Sequence, residues 1–169
     1  ALQQHAMVVQ LALTYRAEQE SAARMNTQTV LVVDDSSGDR LVIRRAFERT
    51  RRDVKLVELI DGEELINYIE RKIPFKDTVL YPEPDLILLD INMRRLDGKQ
   101  ALRLLREKAE YAQVPVVMLT TSSREKDINE SYELGSTDYI TKPENFKDFM
   151  QAIVNVCNYL DKPKTAINA

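Results

Sequence analysis

The chain is short of the residues that staple small or secreted proteins. Its single cysteine, Cys157, can form no internal disulfide, and no paired cysteines suggest a zinc site. Its single histidine, His5, lies in a stretch that supplies one helix. His5 therefore reads as an ordinary helix residue. No apolar run reaches 18 residues, which argues against a transmembrane helix. The first 20 residues lack the basic start and apolar centre of a signal peptide. Positive charge is not in excess: the net charge is -3, so no overall basic field recruits nucleic acid or an anionic membrane. No internal repeat or low-complexity stretch occurs. These absences lead us to expect a cytoplasmic protein.

What remains is an ordinary soluble balance, 44% hydrophobic and 30% charged, in a length that suits one domain with some to spare. Residues 1–24 contain no glycine or proline, and their two arginines and two glutamates cancel. Leu2, Ala6, Val9 and Leu13 share a helical stripe, while Val8, Leu11 and Tyr15 lie off it. We therefore expect a separate N-terminal helix over 1–24, apolar on more than one side.

From Met25 the pattern becomes strand, helix, strand. Apolar strands are expected at 29–33, at "VKLVEL" (54–59), "DLILLD" (85–90) and "VPVVML" (114–119), and at "TDYIT" (137–141). Three are almost continuously apolar, as when helices cover both faces of a sheet. The four glycines fall at junctions: Gly38, Gly62, Gly98 and Gly135. Helical stripes follow: Val42, Ile43, Ala46 and Phe47 in 39–50, then Ala101, Leu102, Leu104 and Leu105 in 98–110. The segment 124–134 is mostly polar, with Ile128 and Tyr132 on its one apolar stripe. In 145–160 the stripe is Phe146, Phe149, Met150, Ile153, Cys157 and Leu160. Residues 73–84, with Pro74, Pro82 and Pro84, read as a surface loop. Five β–α units predict an α/β fold with a doubly wound parallel sheet and right-handed crossovers.

Sites in open parallel sheets form beyond the carboxyl ends of the strands. There the sequence presents Asp34 and Asp35 after the first strand, Asp90 after the third, Thr120 after the fourth and Lys142 after the fifth. Each alone has a plain structural role as a cap, a turn or a solvated charge. Five polar groups sharing one edge are harder to explain that way. Two unit charges ~4 Å apart repel by about 4 kcal/mol at an effective dielectric of 20. Three clustered carboxylates therefore need cations, or at least one pKa rises. Lys142 supplies one positive charge. Carboxylate oxygens with water suit Mg²⁺ for the rest. Such an ion clamps phosphoryl oxygens, a carboxylate can act as nucleophile, Thr120 can hydrogen-bond a phosphoryl oxygen and Lys142 can pair with another.

The segments "VLVVDDSSGDR", "DLILLDINMRRLDG", "PVVMLTTSS" and "GSTDYITKP" resemble the receiver domain of two-component response regulators over about residues 28–160. "TTSSREKDI", "DSSGDR" and the long loop before the third strand narrow the likeness to single-domain regulators that partner bacteriophytochromes. The resemblance implies a flavodoxin-like strand order 2-1-3-4-5 and a phospho-accepting regulator in a histidine-to-aspartate phosphorelay. It would be no enzyme beyond self-phosphotransfer and autodephosphorylation. By the same resemblance Asp90 would be the phosphoacceptor. Asp35, Asp90 and the backbone carbonyl of Asn92 would bind Mg²⁺ directly, and Asp34 through a water. Thr120 would sense the phosphoryl group, Lys142 would bridge to it and Tyr139 would be the aromatic switch. Receivers also imply a cis peptide between Lys142 and Pro143. One departure is Arg94, where the family usually has proline. A sensor histidine kinase, of bacteriophytochrome type, is the implied partner, and a homodimer through the helix at 124–134, the strand at 137–141 and the helix at 145–160 is expected.

Residues 25–162 would be the receiver, 163–169 a tail, and 1–24 a helical extension, native or not, since such domains commonly begin near Met25. The competing reading is a hydrolase or phosphatase with an aspartyl-phosphate intermediate. Such enzymes usually place an acid two residues after the nucleophile, where this chain has Asn92. A receiver without phosphorylation is a third reading, opposed by the full set of site residues. No helix-turn-helix pattern follows residue 160, which argues against a transcription factor.

Overall fold

The computed structural model describes residues 10, 11, 13–15 and 27–161. Five strands alternate with five helices: β1 Gln28–Val33, α1 Ser37–Thr50, β2 Val54–Leu59, α2 Gly62–Ile69, β3 Leu86–Asp90, α3 Gly98–Arg106, β4 Val116–Thr120, α4 Glu125–Glu133, β5 Asp138–Thr141 and α5 Phe146–Val156. Single 3₁₀ turns at Ala109–Tyr111 and Cys157–Asp161 follow α3 and α5. The strands form one parallel sheet in the order β2-β1-β3-β4-β5, as expected.

Strand alternation divides the core in two. Val30 and Val32 of β1, with Leu86, Leu88, Val117 and Leu119, face α1 and α5, which contribute Ile43, Phe47, Phe149 and Ile153. Leu31, Val33, Leu89 and Met118 face the other way, onto Leu65 of α2 and Leu102 and Leu105 of α3. Every residue of β3 and β4 is buried. This accounts for the unbroken apolar runs: central strands have no solvent face.

Side-chain caps set most helix starts. Ser36, Asp61, Asp97 and Asn145 each accept a hydrogen bond from the amide three residues on, at α1, α2, α3 and α5. Arg124, at the head of α4, makes no such bond, and α4 buries a single residue, Ser131.

Several expected stripe residues lie elsewhere. Leu104 is 37% exposed, on the outer side of α3, because α3 rests on the sheet through Ala101, Leu102 and Leu105. Phe146 is 55% exposed because it opens α5, one turn before the buried face begins at Phe149. Tyr132 also points outward, and its hydroxyl donates to Asp138 at 3.3 Å. The loop at 73–84 is pinned from inside: Phe75 is buried, and its ring meets those of Tyr68 and Tyr81 with centroids 5.2 and 5.0 Å away. Leu2, Ala6, Val9 and His5 lie outside the described residues, as does the tail at 163–169. Leu11, Leu13 and Tyr15 are exposed.

Candidate functional site

The site follows from sheet topology. Adjacent strands β1, β3 and β4 end side by side, so Asp34, Asp90 and Thr120 meet above the sheet. Asp34, Asp90 and Thr120 are buried, while Asp35 is exposed. Asp34, Asp35 and Asp90 each offer a carboxylate oxygen, all within 4.8 Å of one another.

Lys142 crosses from the end of β5 to these acids. Its Nζ lies 2.8 Å from Asp34 Oδ2, 2.9 Å from Asp90 Oδ1 and 2.8 Å from Asp39 Oδ2. Asp39 was not foreseen. It lies in the first turn of α1, three residues after the capping Ser36, so it faces the same strand ends.

The expected cis peptide at Lys142–Pro143 is not found. Among the described residues the only cis peptide is Ile73–Pro74. Parallel pairing already does the steering: the Lys142 amide donates to the Thr120 carbonyl at 2.6 Å, fixing the end of β5 beside β4, and the long side chain reaches the acids from there.

Burial dominates the electrostatics. It raises the carboxyl pKa of Asp34 despite the bonds from Lys142. It does the same at Asp90, where the charges of Asp34 and Asp35 add to the rise. For Lys142, burial works against the charged form. The carboxylates of Asp34, Asp39 and Asp90 outweigh it and hold the ammonium well above its usual range. One cation is thus shared among more acids than it can neutralise.

A cavity of about 750 Å³ opens beside Asp90, lined among others by Asp35, Asn92, Thr120, Ser122, Lys99 and Asp127. Thr120 Oγ1 accepts from the Ser122 amide at 3.0 Å, leaving its own hydroxyl proton free to donate. Tyr139 is half-buried against the core, and its hydroxyl donates to the Ser122 carbonyl at 2.8 Å. Arg94 reaches over the site only loosely, with Nε 3.9 Å from Asp35 Oδ2 and its side chain 93% exposed. Sequence reasoning brought together Asp34, Asp35, Asp90, Asn92, Thr120 and Lys142. It missed Asp39, and it missed the neighbouring group of Lys99, Ser122 and Asp127.

With this geometry in hand, comparison with known proteins is specific. Residues 30–154 match the family model described as response regulator receiver domain. The response regulator Rcp1 of Synechocystis sp. is 31% identical over 129 residues, spanning 76% of this chain and 86% of Rcp1. The crystal structure of Mn²⁺-bound Rcp1 superimposes with a TM-score of 0.74 at 30% identity, covering 80% of this chain and 96% of that one. The phosphorylated cyanobacterial phytochrome response regulator RcpA gives 0.75 at 29%, covering 80% and 95%. RPA3017, a response regulator in red light signalling of R. palustris, gives 0.72 at 36%, covering 78% and 92%.

Proposed function

We propose, given that this chain belongs to the response regulator receiver family, that Asp90 accepts the phosphoryl group and that Thr120 and Tyr139 read it out. The observation that carries this is the placement of Asp90 Oδ1: buried, 2.9 Å from Lys142 Nζ, next to an open cavity lined by Asp35, Ile91 and Thr120.

In the transfer, an Asp90 carboxylate oxygen forms a bond to phosphorus. The phosphorus–nitrogen bond of the donor phosphohistidine breaks, and its electron pair returns to the imidazole. Lys142 steadies the negative charge gathered on the phosphoryl oxygens. Asp34 and Asp39 keep the ammonium charged and aimed, from 2.8 Å each. Thr120 has its hydroxyl proton to offer a phosphoryl oxygen.

The donor set fits a divalent ion, since three carboxylates within 4.8 Å supply hard oxygen ligands that one amine does not satisfy. Asp35, Asp90 and the Asn92 carbonyl would hold Mg²⁺, with Asp34 acting through a water. When bound, the ion would neutralise charge developing on the phosphoryl group. The Mn²⁺-bound form of Rcp1 supports a divalent site in a relative.

The activity on this reading is self-phosphotransfer and autodephosphorylation, and the output is protein contact. The kinase is a sensor histidine kinase. The likeness to RcpA and RPA3017 supports a bacteriophytochrome-type input. No helix among the described residues is long and apolar enough to cross a membrane, in keeping with a cytoplasmic setting. The output face is α4, β5 and α5, paired symmetrically in a homodimer.

Incubation with acetyl phosphate and Mg²⁺, followed by intact mass, should show one added phosphoryl group that disappears with a chelator or in Asp90→Asn. An equal rate of gain in Asp90→Asn would overturn the assignment.

A further inference from the structure

Two charged side chains lining the cavity beside Asp90, Lys99 and Asp127, take no part in the chemistry above. Lys99 Nζ donates to Asp127 Oδ1 at 3.0 Å and to Glu130 Oε2 at 2.6 Å. The other Asp127 oxygen accepts from Ser122 Oγ at 2.7 Å and Arg124 Nε at 2.9 Å. Both side chains are largely shielded, 18% and 15% exposed.

Ser122 is the junction. Its amide is bound to Thr120 Oγ1, its carbonyl to the Tyr139 hydroxyl and its own hydroxyl to Asp127. When Thr120 turns it gives up the bond from the Ser122 amide, and a shift of Ser122 strains its bond to Asp127.

The two ends of the Lys99–Asp127 pair differ in firmness. Lys99 follows Gly98, where a side chain would place its Cβ 2.1 Å from the Asp90 carbonyl oxygen, and the Gly98 amide donates to the Ile91 carbonyl at 3.0 Å. The head of α3 is therefore seated directly on the strand end that carries Asp90. Asp127 belongs to α4, which has no side-chain N-cap bond and buries one residue. The pair ties a loosely seated helix to a fixed one.

We propose that Lys99 and Asp127 are positioning residues: they strap α4 and the 121–124 loop to α3, hold the Thr120 hydroxyl oxygen on the Ser122 amide, and so set how readily Thr120 turns to a phosphoryl group on Asp90. This rests on Asp90 being the phosphoacceptor. A strap made in the unphosphorylated arrangement lowers the population of the competent one, and apparent affinity falls with that population. Cutting it raises affinity for the phosphoryl group without touching the metal.

The test is a titration of the full chain with beryllofluoride, a phosphoryl mimic, at saturating Mg²⁺, read by NMR of the Thr120 and Tyr139 signals. Lys99→Met and Asp127→Asn should bind about three- to tenfold tighter than the parent chain. Lys99→Arg should stay near the parent, and the affinity for Mg²⁺ alone should be unchanged in all three. Unchanged or weaker beryllofluoride binding in Lys99→Met, with the fold intact by amide spectrum, overturns the strap. Should Lys99→Met fail to fold, Asp127→Asn decides by the same criterion. Beryllofluoride binding that survives Asp90→Asn would instead overturn the reading of Asp90, and the proposal with it.

Discussion

At the residue scale, the site is costly to the fold that carries it. Asp34 and Asp90 have carboxyl pKa values raised by burial, against the pull of Lys142. The folded chain therefore holds protons that the unfolded chain releases. Their contribution to stability is complete below the ordinary carboxyl value of 3.8 and is lost as pH rises through the raised folded values. At neutral pH and without metal, burial penalises the ionised carboxylates of Asp34 and Asp90, against the stabilisation that Lys142 draws from them. Asp90→Asn should accordingly stabilise the metal-free protein by about 1 kcal/mol, the usual yield of relieving a functional site, or roughly 3 °C for a domain of this size. The gain should shrink toward acid pH, where the native carboxyls are protonated. Thermal scans of parent and variant at neutral and acid pH check this, and a lower melting temperature for Asp90→Asn at neutral pH would contradict it.

At the element scale, the close seating of α3 has a cost for substitution. The ideal Cβ at Gly98 would meet three backbone atoms of Asp90 and Ile91 at 2.1–2.9 Å. Backbone cannot swing aside as a side chain can. Gly98→Ala should therefore destabilise by about 3 kcal/mol or more, at or above the upper end of overpacking costs. Denaturant unfolding measures it, and a loss under ~0.5 kcal/mol, the range of ordinary surface changes, would show that the helix head yields. The sequence made much of this layer readable. Runs such as "LILLD" pointed to central strands, and Ala101, Leu102 and Leu105 announced the inner face of α3. Leu104 and Phe146 were misplaced because periodicity gives a stripe's direction but not its width or where contact begins. α4 is the mostly polar helix expected, but Tyr132 of its expected stripe is exposed; its one buried residue is Ser131, whose hydroxyl donates to the Asp127 carbonyl at 2.8 Å, where apolar periodicity had nothing to follow. The converging acids were legible because strand ends share one edge in a parallel sheet. Asp39, Ser122 and Asp127 were not, because they lie in helix heads or in the loop before α4, where the groups that meet depend on how the helices seat rather than on a shared strand edge.

At the scale of the molecule, the proposed output face is internally knit. Asp138 of β5 accepts from Tyr132 of α4 at 3.3 Å and from Tyr159, beyond α5, at 2.8 Å. A shallow cavity of about 390 Å³ beside it is lined by Asp138, Ile140, Asn155 and Tyr159 among others. If this face makes a homodimer, Tyr159→Asp should give a monomer by light scattering while removal of residues 1–24 leaves the dimer. The reverse result would assign pairing to the N-terminal segment. The single thiol has a further use here. Cys157 is 2% exposed in the turn that closes α5, and its Sγ–H is directed at the Ile153 carbonyl, 3.6 Å away. No competing cysteine exists in the chain. A thiol reagent added to the untouched protein can therefore react at one place only, and only when the C-terminal edge swings open. Its labelling rate is a built-in clock for that opening, readable with and without the phosphoryl group and needing no engineered probe.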